Sequence, residues 1–182
     1  KAPEKTIENI PTLIDRAVFP GMQGGPHMNN IAAKAVAFYE AMQPEFKEYI
    51  RQVVANAAVL ADALQARGLK LVTGGTSNHL ILADVYGSFG VDGKVVQDAL
   101  DSVGLNLNAN SIPDDQLPPF RPSGIRLGTP AITTRGLKED HMDQIAGWIV
   151  ESIKNIDNPD VLSDIREQVV SLAEKFSLPS DS

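Results

Sequence analysis

The sequence predicts an α+β fold over residues 44–182, with helices layered on one face of a small, mostly antiparallel sheet. Two observations carry this. Short apolar runs bounded by Gly, Pro and Asn read as strands, and long segments with apolar residues at helical spacing lie between and after them. The first helix of this region places Phe46, Ile50, Val53, Ala57, Leu60 and Leu64 on one face, and Gly68 is its expected C′ residue. Residues 69–73 and 78–85 are strand candidates. The second draws its apolar character from Leu80, Leu82 and Ala83, and the Gly74-Gly75 pair marks the turn between the two.

Asp92 is placed to N-cap a helix reaching about Val103. Residues 105–108 alternate apolar and polar and make a third strand candidate. Residues 109–122, with four prolines and two aspartates, read as a long loop. Residues 124–128 form a short strand, and Thr129-Pro130 starts another turn. Two helices follow. Met142, Ile145, Ile149 and Ile153 line one. Leu162, Ile165, Val169, Leu172 and Phe176 line the other, which Asn158-Pro159 opens as an N-cap and N1 pair.

Residues 1–43 are different. A polar start leads into an amphipathic stretch over residues 10–18. Residues 19–26 are then too rich in Gly and Pro for helix or strand. From Asn30, the spacing of Ile31, Ala35, Phe38 and Met42 predicts a helix that Pro44 breaks or kinks. These residues hold too few core positions for a domain of their own. The expected organisation is therefore a trailing segment over 1–43, a boundary near Gln43-Pro44, and a small domain over 44–182.

Composition removes several function classes. Hydrophobic residues make up 43% and charged residues 21%, values ordinary for a soluble globular chain. No apolar run approaches the ~20 residues of a membrane span, and the N-terminus has no apolar core of a signal peptide. There is no cysteine, so disulfides, thiolate metal sites and cysteine nucleophiles are absent; this fits a reducing cytoplasm. The net charge of -7 and the scattered basic residues disfavour nucleic acid as a partner.

A few positions could carry chemistry. The glycine loop at residues 21–25 precedes a helix, where exposed backbone N–H groups could cradle a phosphate or simply make a tight turn. Arg126 lies in a short strand between apolar neighbours. Its charge must be paired internally or face a cleft, where a guanidinium can grip a carboxylate with two parallel hydrogen bonds. His27, His79 and His141 show no metal spacing. His141 reads as solvated, His79 as a hydrogen-bonded strand-start residue, Trp148 and Phe176 as core, and Asp114-Asp115 as solvated loop charge.

Five ordered blocks carry a resemblance covering nearly the whole chain: AVFPGMQGGPH (residues 17–27), IAAKAVAF (31–38), PEFKEYIRQVVANA (44–57), LVTGGTSNHL (71–80) and SGIRLGTPAITTRG (123–136). Together they resemble serine hydroxymethyltransferase. The resemblance implies the small C-terminal domain of a fold-type-I, aspartate aminotransferase-like enzyme dependent on pyridoxal 5'-phosphate (PLP), with the end of its large domain. It implies interconversion of serine and glycine with transfer of a one-carbon unit to tetrahydrofolate, in a cytoplasmic homodimer or tetramer. It places the substrate-carboxylate arginine at Arg126, the backbone donors to the neighbour's PLP phosphate at Gly24 and Gly25, and folate contacts at Asn110, Pro118, Pro119 and Phe120. Arg135 reads as structural, and no metal is implied.

The chain departs from the family pattern at Asn29, at Ser77, where the family has aspartate, and at Ala109, where it usually has lysine. The family's cofactor lysine follows a histidine upstream of AVFPG, and the 182 residues contain no His-Lys pair. The resemblance thus implies a part of the enzyme that is inactive by itself, with catalytic residues elsewhere. A non-catalytic folate-binding or dimerisation module is the alternative.

Overall fold

The computed structural model describes residues 9–178, so the polar start expected at residues 1–8 lies outside the described residues. The chain divides into two compact units between Phe46 and Lys47. In the first, helix α1 spans Ile10–Arg16 and helix α2 spans Met28–Ala41. Between them Ala17–Met22 is an irregular wide turn in which Phe19 is extended and the Gln23 N–H reaches back to the Val18 carbonyl at 2.7 Å. The expected α2 pattern does form a helix, but no residue of α1 or α2 is buried in this chain. Phe19, Phe38 and Met42 stand 63%, 69% and 82% exposed.

Helix α3, Pro44–Ala66, begins at the proline because N1 needs no N–H partner. Its expected apolar face holds from Val53 through Ala57 and Leu60 to Leu64, all buried, whereas Phe46 and Ile50 remain about 40% exposed. Strands β1 (Lys70–Leu71), β2 (Leu80–Asp84), β3 (Asn108–Asn110) and β4 (Gly124–Gly128) form one sheet in the order β1-β2-β4-β3. Every pairing is antiparallel. Helix α4 (Val85–Phe89) follows β2 directly, capped by the Asp84 carboxylate, and α5 (Gly93–Ser102) is capped by Asp92, as the sequence predicts. A short α6 (Pro130–Thr134) precedes the long α7 (Glu139–Lys154) and α8 (Pro159–Lys175).

The sheet is one-sided. Ile81 and Ala83 of β2 pair with Leu127 and Ile125 of β4, and this face meets Leu60, Leu64, Val96, Leu100, Met142 and Ile149 in a single core. Side chains alternate along a strand, so Leu80, Leu82 and Arg126 stand on the opposite face, away from the core.

Several expectations are corrected. The third strand lies at Asn108–Asn110, not at 105–108: Leu105 and Leu107 turn onto the core, and the ladder with β4 starts only at Asn108 opposite Arg126. His141 is not solvated. Its ring packs edge-on against Phe176 at 4.9 Å and accepts weakly from the Lys138 N–H at 3.5 Å. Asp115 is no free loop charge, as the next subsection shows. The last helix packs less deeply than its pattern suggests: of its apolar face only Ile165 is fully buried.

A buried polar ladder fastens α6 to α3. The Asn56 amide, with no exposed surface, donates to Thr133 Oγ1 and to the Leu137 carbonyl, each at 2.9 Å, and accepts from Gln52. Thr129 donates to the Val53 carbonyl at 2.7 Å, and Thr133 donates to the Thr129 carbonyl. Every group in this ladder is satisfied, which avoids the cost of about 1–3 kcal/mol for each buried polar group left unpaired. Arg135 donates to the Ala173 carbonyl at 2.6 Å, tying the end of α6 to α8.

Gly93, first in α5, donates its N–H to the Pro122 carbonyl, and a Cβ there would collide with the Gly124 carbonyl oxygen. Backbone cannot rotate aside. Gly93→Ala is therefore expected to cost about 1–3 kcal/mol of stability, while Gly25→Ala, whose Cβ meets nothing within 4 Å, leaves the urea midpoint near wild type. Equal midpoints for the two variants would show that the contact relaxes freely.

Candidate functional site

Arg126 is the centre of the site. Strand β4 buries Ile125 and Leu127, so the residue between them must point to the open face. There its side chain is exposed and, among the described residues, makes no hydrogen bond or ion pair. The alternative of an internal salt bridge is thus not realised among the described residues. Leu82 flanks Arg126 on β2 and Asn108 flanks it on β3.

The guanidinium borders an open cleft of about 580 Å³, shared with Thr73, Thr76, Ser77, Asn78, Leu82 and Asn110. Among the described residues Arg126 is the only charged group in the lining; the other polar groups are hydroxyls and amides. Such a lining favours an anion, since no carboxylate competes for the guanidinium.

The cleft wall from Thr73 to Leu80 is built by short-range bonds. Gly74 and Gly75 adopt φ of 67° and 152°, conformations that a side chain disfavours. Asn78 Oδ1 accepts from the Leu80 N–H at 2.7 Å, and Thr76 donates to the Leu80 carbonyl at 2.6 Å. His79 itself is exposed, and its carbonyl accepts from the Thr129 N–H at 3.3 Å.

Of the residues singled out from sequence, Asn110 joins Arg126 in the cleft, and its amide donates to the Ser111 carbonyl at 2.6 Å. Pro118, Pro119 and Phe120 do not line it. They form an exposed tip, with Phe120 76% accessible. Gly24 and Gly25 belong to the first unit, are exposed, and donate no backbone hydrogen bond among the described residues. Ser77, another position singled out from sequence, lines the cleft. Ala109 shares the core-side face with Ile125, and its N–H donates to Gln97 at 2.8 Å. The Asn29 amide donates to its neighbour Asn30 at 3.2 Å.

Two carboxylates organise the loop leading into β4: Asp115, which the sequence reads as solvated charge, and Asp92, which it offers only as a helix N-cap. Asp115 accepts from the Ile112, Leu117 and Ser123 N–H groups and from the Ser123 hydroxyl, at 2.5–3.2 Å. Desolvation pushes its pKa up, but the Ser123 hydroxyl and the Leu117, Ser123 and Ile112 amides outweigh this and hold it at about 2. Asp92 caps α5 and pairs with Arg121, whose Nε and Nη2 reach one carboxylate oxygen at 3.0 and 2.6 Å. Desolvation raises the Asp92 pKa, yet the Arg121 hydrogen bond, the cap amides and the Arg121 charge bring it below the ordinary carboxylate value. An aspartate followed two residues later by an apolar residue in a proline-rich loop was the available signal for Asp115, and it is a weak one.

Fold and cleft define a mixed helix and antiparallel-sheet domain with an exposed arginine bordering an open cleft. Among the described residues no cluster of His, Asp or Glu could hold a metal, and no helix is long and apolar enough to cross a membrane. A family model for serine hydroxymethyltransferase matches residues 1–149. A curated relative, serine hydroxymethyltransferase of Koribacter versatilis (strain Ellin345), is 50% identical over 171 residues, covering 94% of this chain and 40% of the relative. The chain belongs to the serine hydroxymethyltransferase family, a family of transferases, and it spans about 40% of the length of the curated relative it matches.

The Asp115 carboxylate has a pH consequence. Its pKa is depressed in the folded protein, so its contribution is fully present above the unfolded value of about 4 and is lost as pH falls through about 2. Asp115→Ala should lower stability near neutrality by about 1–3 kcal/mol, because the buried Ser123 N–H loses its acceptor, and should flatten the stability loss between about pH 4 and 2. Parallel acid-unfolding slopes for variant and wild type would remove Asp115 from that role.

Proposed function

We propose that this chain is the C-terminal part of a PLP-dependent serine hydroxymethyltransferase that interconverts serine and glycine and passes the one-carbon unit to tetrahydrofolate. The single observation that carries the reading is Arg126, a guanidinium without a partner among the described residues, on a cleft whose lining contains no acid. Its planar fork suits the carboxylate of serine or glycine, and two parallel hydrogen bonds would fix the orientation of the amino acid's Cα bonds. Leu82 beside it supplies an apolar wall, and the hydroxyls and amides of Thr76, Ser77, Asn78 and Asn110 complete a polar collar.

On this reading PLP, when bound, supplies the electron sink for negative charge developing at the substrate Cα. Gly24 and Gly25 suit a phosphate-binding role: their N–H groups donate no backbone hydrogen bond among the described residues, and a Cβ built at either would meet nothing within 4 Å. They would serve the cofactor of a neighbouring subunit in a homodimer or tetramer. The apolar residues exposed on α1 and α2 are compatible with such burial. No His-Lys pair occurs in the 182 residues, so the lysine that holds PLP belongs to other parts of the enzyme. Asn110 and the exposed Pro118–Pro119–Phe120 tip would form the folate side. The fold-type-I assignment, a domain boundary near residue 43 or 44, and a cytoplasmic location complete the proposal.

In the full-length enzyme Arg126→Ala should weaken serine binding roughly 10²–10⁴-fold, the loss of two charge-assisted hydrogen bonds at about 1.5–3 kcal/mol each, with PLP still bound. Arg126→Lys should recover only part, because an ammonium lacks the fork. Titration with serine, followed by cofactor absorbance, reads both, and an unchanged serine affinity in Arg126→Ala would refute the assignment. A non-catalytic module draws support only from the self-contained core of the second unit. Serine turnover by the full-length protein that disappears in Arg126→Ala would exclude it.

A further inference from the structure

The Asp92–Arg121 pair divides one carboxylate between two tasks. Oδ1 accepts from the Lys94 and Val95 N–H groups, both at 3.1 Å, and so caps α5. Oδ2 takes both contacts from Arg121. The Asp92 side chain is 6% exposed and that of Arg121 62%, so the anchor is buried and the arm lies along the surface. The arm belongs to the residue directly after Phe120. The Arg121 N–H also donates to the Pro118 carbonyl at 2.8 Å, closing a turn around the two intervening residues.

Either side of this tip is fixed: the Leu117 N–H by Asp115, and the Pro122 carbonyl by the Gly93 N–H. Within the tip, between Pro118 and Arg121, the only side chain tied to the rest of the domain among the described residues is that of Arg121. Among the described residues Phe120 joins neither the core nor any ring contact, and it stands 76% exposed. An aromatic residue held outward on a proline-stiffened turn is a platform for a planar ring.

We propose that the Asp92–Arg121 ion pair is a positioning device that holds Phe120 ready to pack against the flat ring of the folate co-substrate. It thereby sets affinity for that co-substrate and leaves serine alone. This rests on the folate-side reading of the tip given above. Ordering the tip in advance removes a cost that ligand binding would otherwise bear.

The test uses the full-length holoenzyme. Arg121→Met keeps the stem and removes the charge. Asp92→Asn keeps the cap, because asparagine caps as well as aspartate, but turns an N–H₂ or a neutral oxygen toward the guanidinium. Both variants should raise the KM for tetrahydrofolate about fivefold, the scale of a partly exposed ion pair, with kcat and the KM for serine unchanged. Hydrogen exchange at the Arg121 amide should quicken in both. Added salt should raise the tetrahydrofolate KM of the wild type more than that of Arg121→Met, because screening acts on the pair. Arg121→Lys should recover part of the loss.

Phe120→Ala calibrates the outcome. If it leaves the tetrahydrofolate KM unchanged, the folate-side reading fails. If it raises that KM while Arg121→Met does not, the reading stands and the positioning role is overturned. Equal increases in the KM for serine and tetrahydrofolate in Arg121→Met would mean a general structural role and would also overturn it.

Discussion

The period-two alternation of β4 is the constraint on which the domain depends. Ile125 and Leu127 are drawn into the core by β2 on one side and the helices on the other, and this leaves Arg126 no place but the open face. A slip of one residue would bury the guanidinium and expose both apolar side chains, at a cost of several kcal/mol for the charge alone. Register is held by five paired positions with β2 and three with β3. The orientation of the candidate anion-binding group is thus enforced by the burial of its neighbours and needs no bond of its own.

The loop before β4 shows a second kind of order. It has little regular structure and few buried apolar residues, yet two aspartates give it a defined path. Asp115 gathers four donors at the point where the chain turns toward β4, and Asp92 joins the start of α5 to Arg121. Ser123, held by Asp115, in turn accepts from the Val85 and Tyr86 N–H groups at the end of β2. Loop, helix cap and strand are therefore linked through side-chain carboxylates, whose strength comes from desolvation matched by several donors.

Much of this was legible in the sequence. The long helices announced themselves by spacing, β4 by its bounding glycines, and the starts of α5 and α8 by Asp92 and by Asn158-Pro159. Helices α4 and α6, five residues each, are too short to show a period and are set by the Asp84 cap and by the polar ladder to α3. The position of β3 was hidden because Leu105 and Leu107 imitate a strand while serving the core from irregular backbone. Arg126 could be singled out as a charge among apolar residues, but whether it was paired depended on where the acids fell in space. For the same reason Asp115 passed for solvated charge: its donors come from residues as far apart as Ile112 and Ser123.

The one-sided sheet separates the requirements of folding from those of recognition. Positions 81, 83, 125 and 127 answer to the core, whereas 80, 82, 108 and 126 lie on the opposite face and are free of that demand. Substitutions in the second set can drift without unfolding the domain. The cleft can therefore be reshaped, at Leu80, Leu82 or Ser77 for instance, without disturbing the packing that holds the sheet together.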